Sequence, residues 1–474
     1  MLPKKTAVLT TFSLSLLMTG AIDSIRNLPA TALFGSSLIF FFVLSAVMFL
    51  IPAALVSAEL SAHSTEKGGI FHWIQMAFGD KLAFLAIWLQ WINTMVWFPT
   101  ILSFIAGTAT YFIDPLLAQN KFFIISVILS IFWSLTWLNL KGLHVSAKFS
   151  SFCAVVGIIT PMIAIISLAI IWLILGKPIQ IHFTTNELMP VLSHKENWIS
   201  LTAIMTAFLG MELATVHVKN VLDPQRTFPK ALFISVILIL ATMISGALAI
   251  AIVLPKDQIN LVNGVMQAFT QFFASYHLQW FVPVVTVMLL LGSAGGIVSW
   301  IISPAKGLLS AAETGFLPPF FAKTNGEGVP ANLLIAQAIL VSLICLAFLL
   351  MPSVNGSYWL LTALSTQLYM LMYVIMFGAA IYLKYKLKNK PNAFAVPGGK
   401  IGMWLTSGLG LIGCFITLYV GFIPPEGIDV GGLQHFEIIF TSGMALMVTP
   451  VLLFYIYQTK QRFFGKTSIL PTIQ

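Results

Sequence analysis

Two stretches of this chain place charge inside apolar sequence. In Phe208-Leu209-Gly210-Met211-Glu212 a carboxylate follows a glycine, and the apolar run ends at Asp223-Pro224-Gln225-Arg226-Thr227-Phe228-Pro229. In Thr19-Gly20-Ala21-Ile22-Asp23-Ser24-Ile25-Arg26 a glycine again precedes an acid, and an arginine follows three residues later. A charged side chain in hydrocarbon is costly, so such a residue marks a functional site by default. Glycine beside it allows a helix to open and expose backbone N–H and C=O groups. The chemistry this offers is non-covalent: recognition of a small charged solute near the membrane midplane, with a carboxylate able to gate or to relay a proton.

The elements that must hold these residues are membrane helices. Charged residues make up 8% of the chain and hydrophobic residues 58%, against roughly 25% charged in soluble domains. A span takes about 20 apolar residues. On that basis twelve are expected, at 8–33, 37–60, 83–112, 122–140, 151–175, 198–219, 231–254, 279–304, 331–351, 357–383, 402–422 and 436–457. The first apolar segment is long and has no small-residue cleavage site, so it reads as a retained span, not a signal peptide.

The net charge of +9 comes from 24 Lys and Arg that sort by side. With both termini cytoplasmic, 19 fall inside and 4 outside (Lys121, Lys177, Lys195 and Lys256), leaving Arg26 within a span. This is the positive-inside pattern, and it predicts an even number of spans. It points to a lipid bilayer as partner, in a cell (inner) membrane, and not to nucleic acid. Gly68-Gly69-Ile70-Phe71-His72-Trp73 reads as a short interfacial helix, with Trp73 at the interface. Lys384 to Lys400 reads as a solvated basic connector near anionic lipid.

Spans one and six carry the two glycine–acid interruptions. They head two blocks of five spans, and an odd block length gives the second copy the opposite topology. Paired interrupted helices in two halves point to a transport site. The expected organisation is a ten-helix inverted-repeat core over 1–400, with repeats at 1–175 and 198–383. Two accessory helices follow over 401–457, then a short cytoplasmic tail over 458–474.

Soluble-enzyme chemistry is not indicated. Gly465-Lys466-Thr467 has Lys460 where a phosphate loop needs glycine. Ser303-Pro304-Ala305-Lys306 lacks the partner motifs of a serine acyl-transfer site. The eight histidines show no metal-ligand spacing, and Cys153, Cys345 and Cys414 all lie in apolar spans. No enzyme activity, cofactor or metal is expected. A channel would show symmetric polar pore rings, and none is apparent.

Three motifs in order carry a family resemblance: Gly68 to Trp73, Gly210-Met211-Glu212 through Pro229, and Glu313-Thr314-Gly315-Phe316-Leu317-Pro318 through Gly328-Val329-Pro330. With these the chain resembles the amino acid–polyamine–organocation transporters over nearly its whole length, and most of all the bacterial glutamate:GABA antiporters. The resemblance implies an all-α integral membrane protein with the leucine-transporter-like 5+5 inverted repeat and broken helices 1 and 6. It implies a secondary active amino acid transporter working by alternating access, with an amino acid as substrate and protons as a possible coupled ion. Glutamate exchanged for GABA or a related amino acid is the first expectation. A proton-coupled or uniport permease for neutral or cationic amino acids is the alternative.

Two departures stand out. Many amino acid antiporters of the wider superfamily carry Gly-Ser-Gly in the first broken helix, where this chain has Asp23-Ser24-Ile25-Arg26. The tail from Gln458 to Gln474 is 17 residues, too short for the vestibule plug of acid-activated relatives, so a tail-based pH gate is not expected.

The candidate site follows. Thr19, Gly20, Asp23, Ser24 and Arg26 come from the first interruption, and Gly210 with Glu212 from the second. Glu212 is the gating or coupling acid. Asp23 and Arg26, three apart, would share a helix face and form a self-neutralising pair; alternatively Arg26 clamps a substrate carboxylate. By the resemblance, Phe208, Trp300, Tyr369 and Tyr373 line the substrate cavity or its gates. Gln90, Asn93 and Trp97 share one helix face and are weaker candidates.

Overall fold

The computed structural model describes residues 10–63, 69–142, 147–190, 195–215, 223–313, 315–387 and 393–463. Gly68, Thr314, the end of the sixth expected span and the tail beyond 463 lie outside them. So do the inside lysines at 4, 5, 67, 219, 388, 390 and 466. The described residues form helices and turns, with no strand among them.

Nine helices among the described residues are long and apolar enough to cross a membrane. We number the helices in chain order, including shorter ones that carry the argument. The first interrupted span gives α1 (Thr11–Ile22) and α2 (Leu28–Ala32). Then come α3 (Gly35–His63), the short α4 (Ile70–Phe78), α5 (Asp80–Ala109), α6 (Lys121–Leu140) and α7 (Phe152–Ile174). The second interrupted span gives α8 (Ser200–Phe208) and α9 (Met211–Thr215). The rest are α10 (Pro224–Val253), α11 (Gly264–Ser275), α12 (Val282–Glu313), α13 (Ala331–Leu350), α14 (Val354–Lys386), α15 (Gly399–Val420) and α16 (Leu433–Thr459). Three of the expected spans are missing from the nine. Two are the interrupted ones, whose pieces are too short to qualify singly, and the third falls on α12.

The outward faces are apolar. Phe233, Ile339, Leu405 and Leu446 are exposed, as lipid-facing side chains must be in a chain whose backbone bonds close within helices. Inside, α14 lies along α5 and α15, α12 lies along α5, and α1 lies along α10. The helices α7 and α12 cross at glycines: a Cβ on Gly157 would fall 2.2 Å from the Gly292 backbone. Small residues permit this close backbone approach, which replaces the hydrophobic effect as a source of association in lipid.

Several expectations change here. Gly20 does not open its helix; it lies inside α1, and the interruption comes at Asp23 and Ser24. Gly210 does open its helix, at φ +100°, a conformation other residues rarely adopt. Trp73 is 1% exposed, so the short α4 turns this indole into the protein, not toward an interface. The helix expected at 231–254 begins at Pro224, earlier than expected, with proline in the first turn where its missing N–H costs nothing. Arg226 reaches Asp223 at 3.8 Å across exposed surface, a contact of little energetic weight.

The connector from Lys384 to Lys400 is not simply solvated. Phe394 and Val396 are buried, and so is Lys384, in the last turn of α14.

Candidate functional site

The second interruption builds the centre of the site. Leu209 ends α8 in an extended conformation, and Gly210 turns the chain into α9. This places Glu212, 1% exposed, in the first turn of α9. The Tyr369 hydroxyl donates to its Oε1 and the Tyr373 hydroxyl to its Oε2. Gln90 Nε2 donates to Oε1 at 3.3 Å and to the Tyr369 hydroxyl at 3.1 Å. The backbone N–H freed at Gly210 donates to the Tyr373 hydroxyl at 3.3 Å. A buried carboxylate without donors is costly; here three side chains from two helices supply them. Tyr369 and Tyr373 reach it together because residues four apart share a helix face. Their rings pack edge-on, with Phe49 edge-on to Tyr373.

The first interruption separates two charges. Asp23 caps α1, Ser24 is extended at φ −143° and ψ 112°, and a single 3-10 turn runs from Ile25 to Asn27. That extended residue removes the helical i,i+3 geometry, so Asp23 and Arg26 diverge. No ion pair joins them among the described residues. Arg26 is buried against α5, where Nη1 donates to Thr100 Oγ1 at 2.9 Å and the guanidinium lies 5.2 Å from the Trp97 ring centroid. Tyr358 lies beside it. Asp23 turns the other way, toward Thr242 on α10. Among the described residues, Asp23 Oδ1 and Arg26 Nε are buried without a hydrogen-bond partner. Two opposite charges thus flank the opened backbone, each with binding capacity left over.

Beside the Glu212 cluster, sharing Gln90 and Tyr369 with it, lies a cavity of about 320 Å³. Ile87, Gln90, Trp91 and Thr94 of α5 line it, with Leu213, Trp300, Pro304, Gly307 and Tyr369. Trp300 packs on Trp97 with ring centroids 5.7 Å apart. Because Arg26 stacks on that same Trp97, the two indoles stand between Arg26 and the cavity. At the opposite end of the bundle a cavity of about 540 Å³ is lined by Phe34, Gly35, Gln180, His182 and Lys256 among others.

The expected residues therefore divide. Glu212, Gly210, Tyr369 and Tyr373 form one hydrogen-bonded unit, and Trp300 and Tyr369 line the cavity. Arg26, Asp23 and Ser24 surround the first interruption. Thr19 donates to Ser235 Oγ at 3.2 Å and so ties α1 to α10. Gly20 faces open space. Phe208 is fully buried, edge-on to Phe42, and does not line the cavity.

The weaker candidates on α5 are central. Gln90 bridges Tyr369 and Glu212, Asn93 accepts from Ser365, and Trp97 carries Arg26. Residues the reading missed are Thr100, Thr242 and Tyr358. Thr100 had a signal, lying one turn beyond Trp97 on the same face. Thr242 and Tyr358 had none, since only the tertiary fold brings them near.

Two interrupted helices around a polar centre, set in an all-helical bundle with lipid-facing sides, define a membrane transporter. Comparison with known proteins agrees. The chain matches the amino acid permease family over residues 9–450, and it belongs to that family. It is 41% identical over 93% of its length to an uncharacterized transporter of Legionella pneumophila, covering 95% of that protein. It is 30% identical over 92% of its length to a glutamate/gamma-aminobutyrate antiporter of Lactococcus lactis, covering 87% of it. Among solved structures, a manganese transporter of Eremococcus coleocola matches with TM-score 0.56 at 12% identity. That match covers 95% of this chain and 94% of the other, and it shows shared fold alone.

Proposed function

We propose that this protein is a secondary active amino acid antiporter working by alternating access, exchanging glutamate for GABA or a related amino acid. The observation that carries the reading is the Glu212 cluster beside the cavity, where one interrupted helix meets the two tyrosines of α14. A carboxylate held by α5 and α14 can join these helices in one conformation and release them in another. Glu212 is the gating or coupling acid. Arg26, Asp23, Ser24 and the opened backbone around them bind the charged ends of the substrate, with Thr19, Gly20, Gly210, Trp300, Tyr369 and Tyr373 completing the site and Phe208 packed against Phe42 outside the cavity. The Trp97–Trp300 layer separates the cavity from Arg26.

The substrate reading draws on the likeness to the glutamate/gamma-aminobutyrate antiporters and on Arg26, which has no carboxylate partner among the described residues and suits a second substrate carboxylate. In this account twelve spans form a 5+5 inverted repeat over 1–400 with accessory helices over 401–457. Both termini and the tail over 458–474 are cytoplasmic, in the inner membrane, as the lysine and arginine distribution suggests.

Counterflow in proteoliposomes tests this. Labelled glutamate should enter vesicles loaded with unlabelled GABA or glutamate and should not accumulate in empty ones. Equal uptake into empty vesicles would replace antiport by uniport or proton symport. A panel of unlabelled amino acids competing at two pH values then fixes the substrate class.

A further inference from the structure

A second buried charge cluster lies away from the site. Glu59 near the end of α3 accepts from Lys384 Nζ at 2.7 Å, and both side chains are 5% exposed. Its other oxygen accepts the backbone N–H of Val396 at 2.6 Å. The segment 393–396 is thereby drawn into the protein. Phe394 packs on Phe228 with centroids 4.8 Å apart, and Gln225 Nε2 donates to the Ala393 carbonyl at 3.0 Å. A buried ion pair by itself is weak evidence for stability, because desolvation offsets its attraction. What this one does is join elements.

One joined element carries the tyrosines of the Glu212 cluster, and another follows Glu212 in the chain. Lys384 lies on α14, the helix of Tyr369 and Tyr373. Gln225 and Phe228 lie in the first turns of α10, the helix that follows α9 and Glu212 in the chain. At one end of the bundle, Glu59 therefore ties α14 and, through the strap, the start of α10 to α3, on which α9 also packs. The cavity lies in the same half, since its α5 residues come from the start of a helix that begins soon after α3 ends.

We propose that Glu59, Lys384 and the strap 393–396 form a latch that holds the conformation in which this cavity is open. Glu59 and Lys384 are positioning residues: they touch no substrate and act through α14 and the start of α10. Closing this half requires α9 and the start of α10 to move against α3 and α14, which breaks the strap's contacts with Phe228 and Gln225. A contact made in one state and lost in the other biases the equilibrium between them. The inference rests on the 320 Å³ cavity being the transport cavity.

A thiol-labelling rate tests it. Leu213 is 39% exposed and lines the cavity, while the three native cysteines are buried. In a Leu213→Cys background, the rate of modification by a water-soluble methanethiosulfonate reports how often the cavity is open. Glu59→Gln should slow labelling at least threefold, and Phe394→Leu should slow it in the same direction. A change below threefold, or faster labelling, in folded protein would overturn the latch. Should Glu59→Gln fail to fold, Phe394→Leu decides by the same criterion. Failure of counterflow in the unmodified protein would instead remove the transport reading, whatever the labelling shows.

Discussion

The Tyr373 hydroxyl donates to Glu212 Oε2 and accepts the N–H of Gly210, so one side chain of α14 holds both the acid and the opened backbone of the second interruption. Tyr369 donates to the acid and accepts from Gln90, which itself also reaches Oε1. The two tyrosines are therefore not equivalent. Tyr373→Phe removes the partner of the buried Glu212 Oε2 and of the half-buried Gly210 N–H, whereas Tyr369→Phe leaves Gln90 and Glu212 Oε1 paired with each other. An unsatisfied buried group costs about 1–3 kcal/mol. Tyr373→Phe should lower the Tm of the detergent-solubilised protein more than Tyr369→Phe does; equal shifts would contradict the assignment.

The separation of Asp23 from Arg26 is testable by a double-mutant cycle. Contacting charges couple by roughly 0.5–3 kcal/mol, whereas independent sites add within about 0.5 kcal/mol. The stability changes of Asp23→Asn and Arg26→Gln should be additive on thermal unfolding. Strong coupling would restore the ion pair expected from their spacing.

Arg26 should set substrate charge preference. Hydrogen bonds to charged groups are worth about 1.5–3 kcal/mol, so Arg26→Gln should weaken dicarboxylic amino acids about tenfold or more in competition for exchange. Neutral amino acids should lose much less. Arg26→Lys should fall between, since it keeps charge but loses the planar contact with Trp97 and Thr100. Equal losses for both substrate classes would argue against direct contact.

The two glycines should respond differently to alanine. Gly210 sits at φ +100°, where a side chain costs about 1–3 kcal/mol, so Gly210→Ala should lower Tm and slow exchange. Gly20 lies within α1 beside open space, and Gly20→Ala should leave Tm unreduced. A matched loss at both would mean that Gly20 also serves as an opening point.

Much of this was legible in the residues. The cost of intramembrane charge singled out Glu212 and Arg26, and the four-residue spacing placed Tyr369 and Tyr373 on one face. Glycine as a marker of helix opening succeeded at Gly210 and failed at Gly20. There the break came at an extended Ser24, whose backbone no local propensity announced. The same break undid the Asp23–Arg26 pairing, because i,i+3 reasoning holds only within a continuous helix. Glu59 was open to the same charge argument, sitting at the end of an apolar run. It escaped because its partners, Lys384 and Val396, are more than 300 residues away in sequence. The burial of Phe394 inside a lysine-rich connector escaped for a related reason: composition reports solvation only on average.

The most direct test of the account is counterflow with Glu212→Gln. The amide keeps the shape of the carboxylate but sets an NH2 group against a tyrosine hydroxyl and removes the charge. In vesicles loaded with unlabelled amino acid, a folded Glu212→Gln protein should exchange labelled glutamate at least about tenfold more slowly than the unmodified protein, a barrier change of about 1.4 kcal/mol. Exchange at the unmodified rate and with the unmodified pH profile would contradict the claim that the Glu212 cluster gates transport.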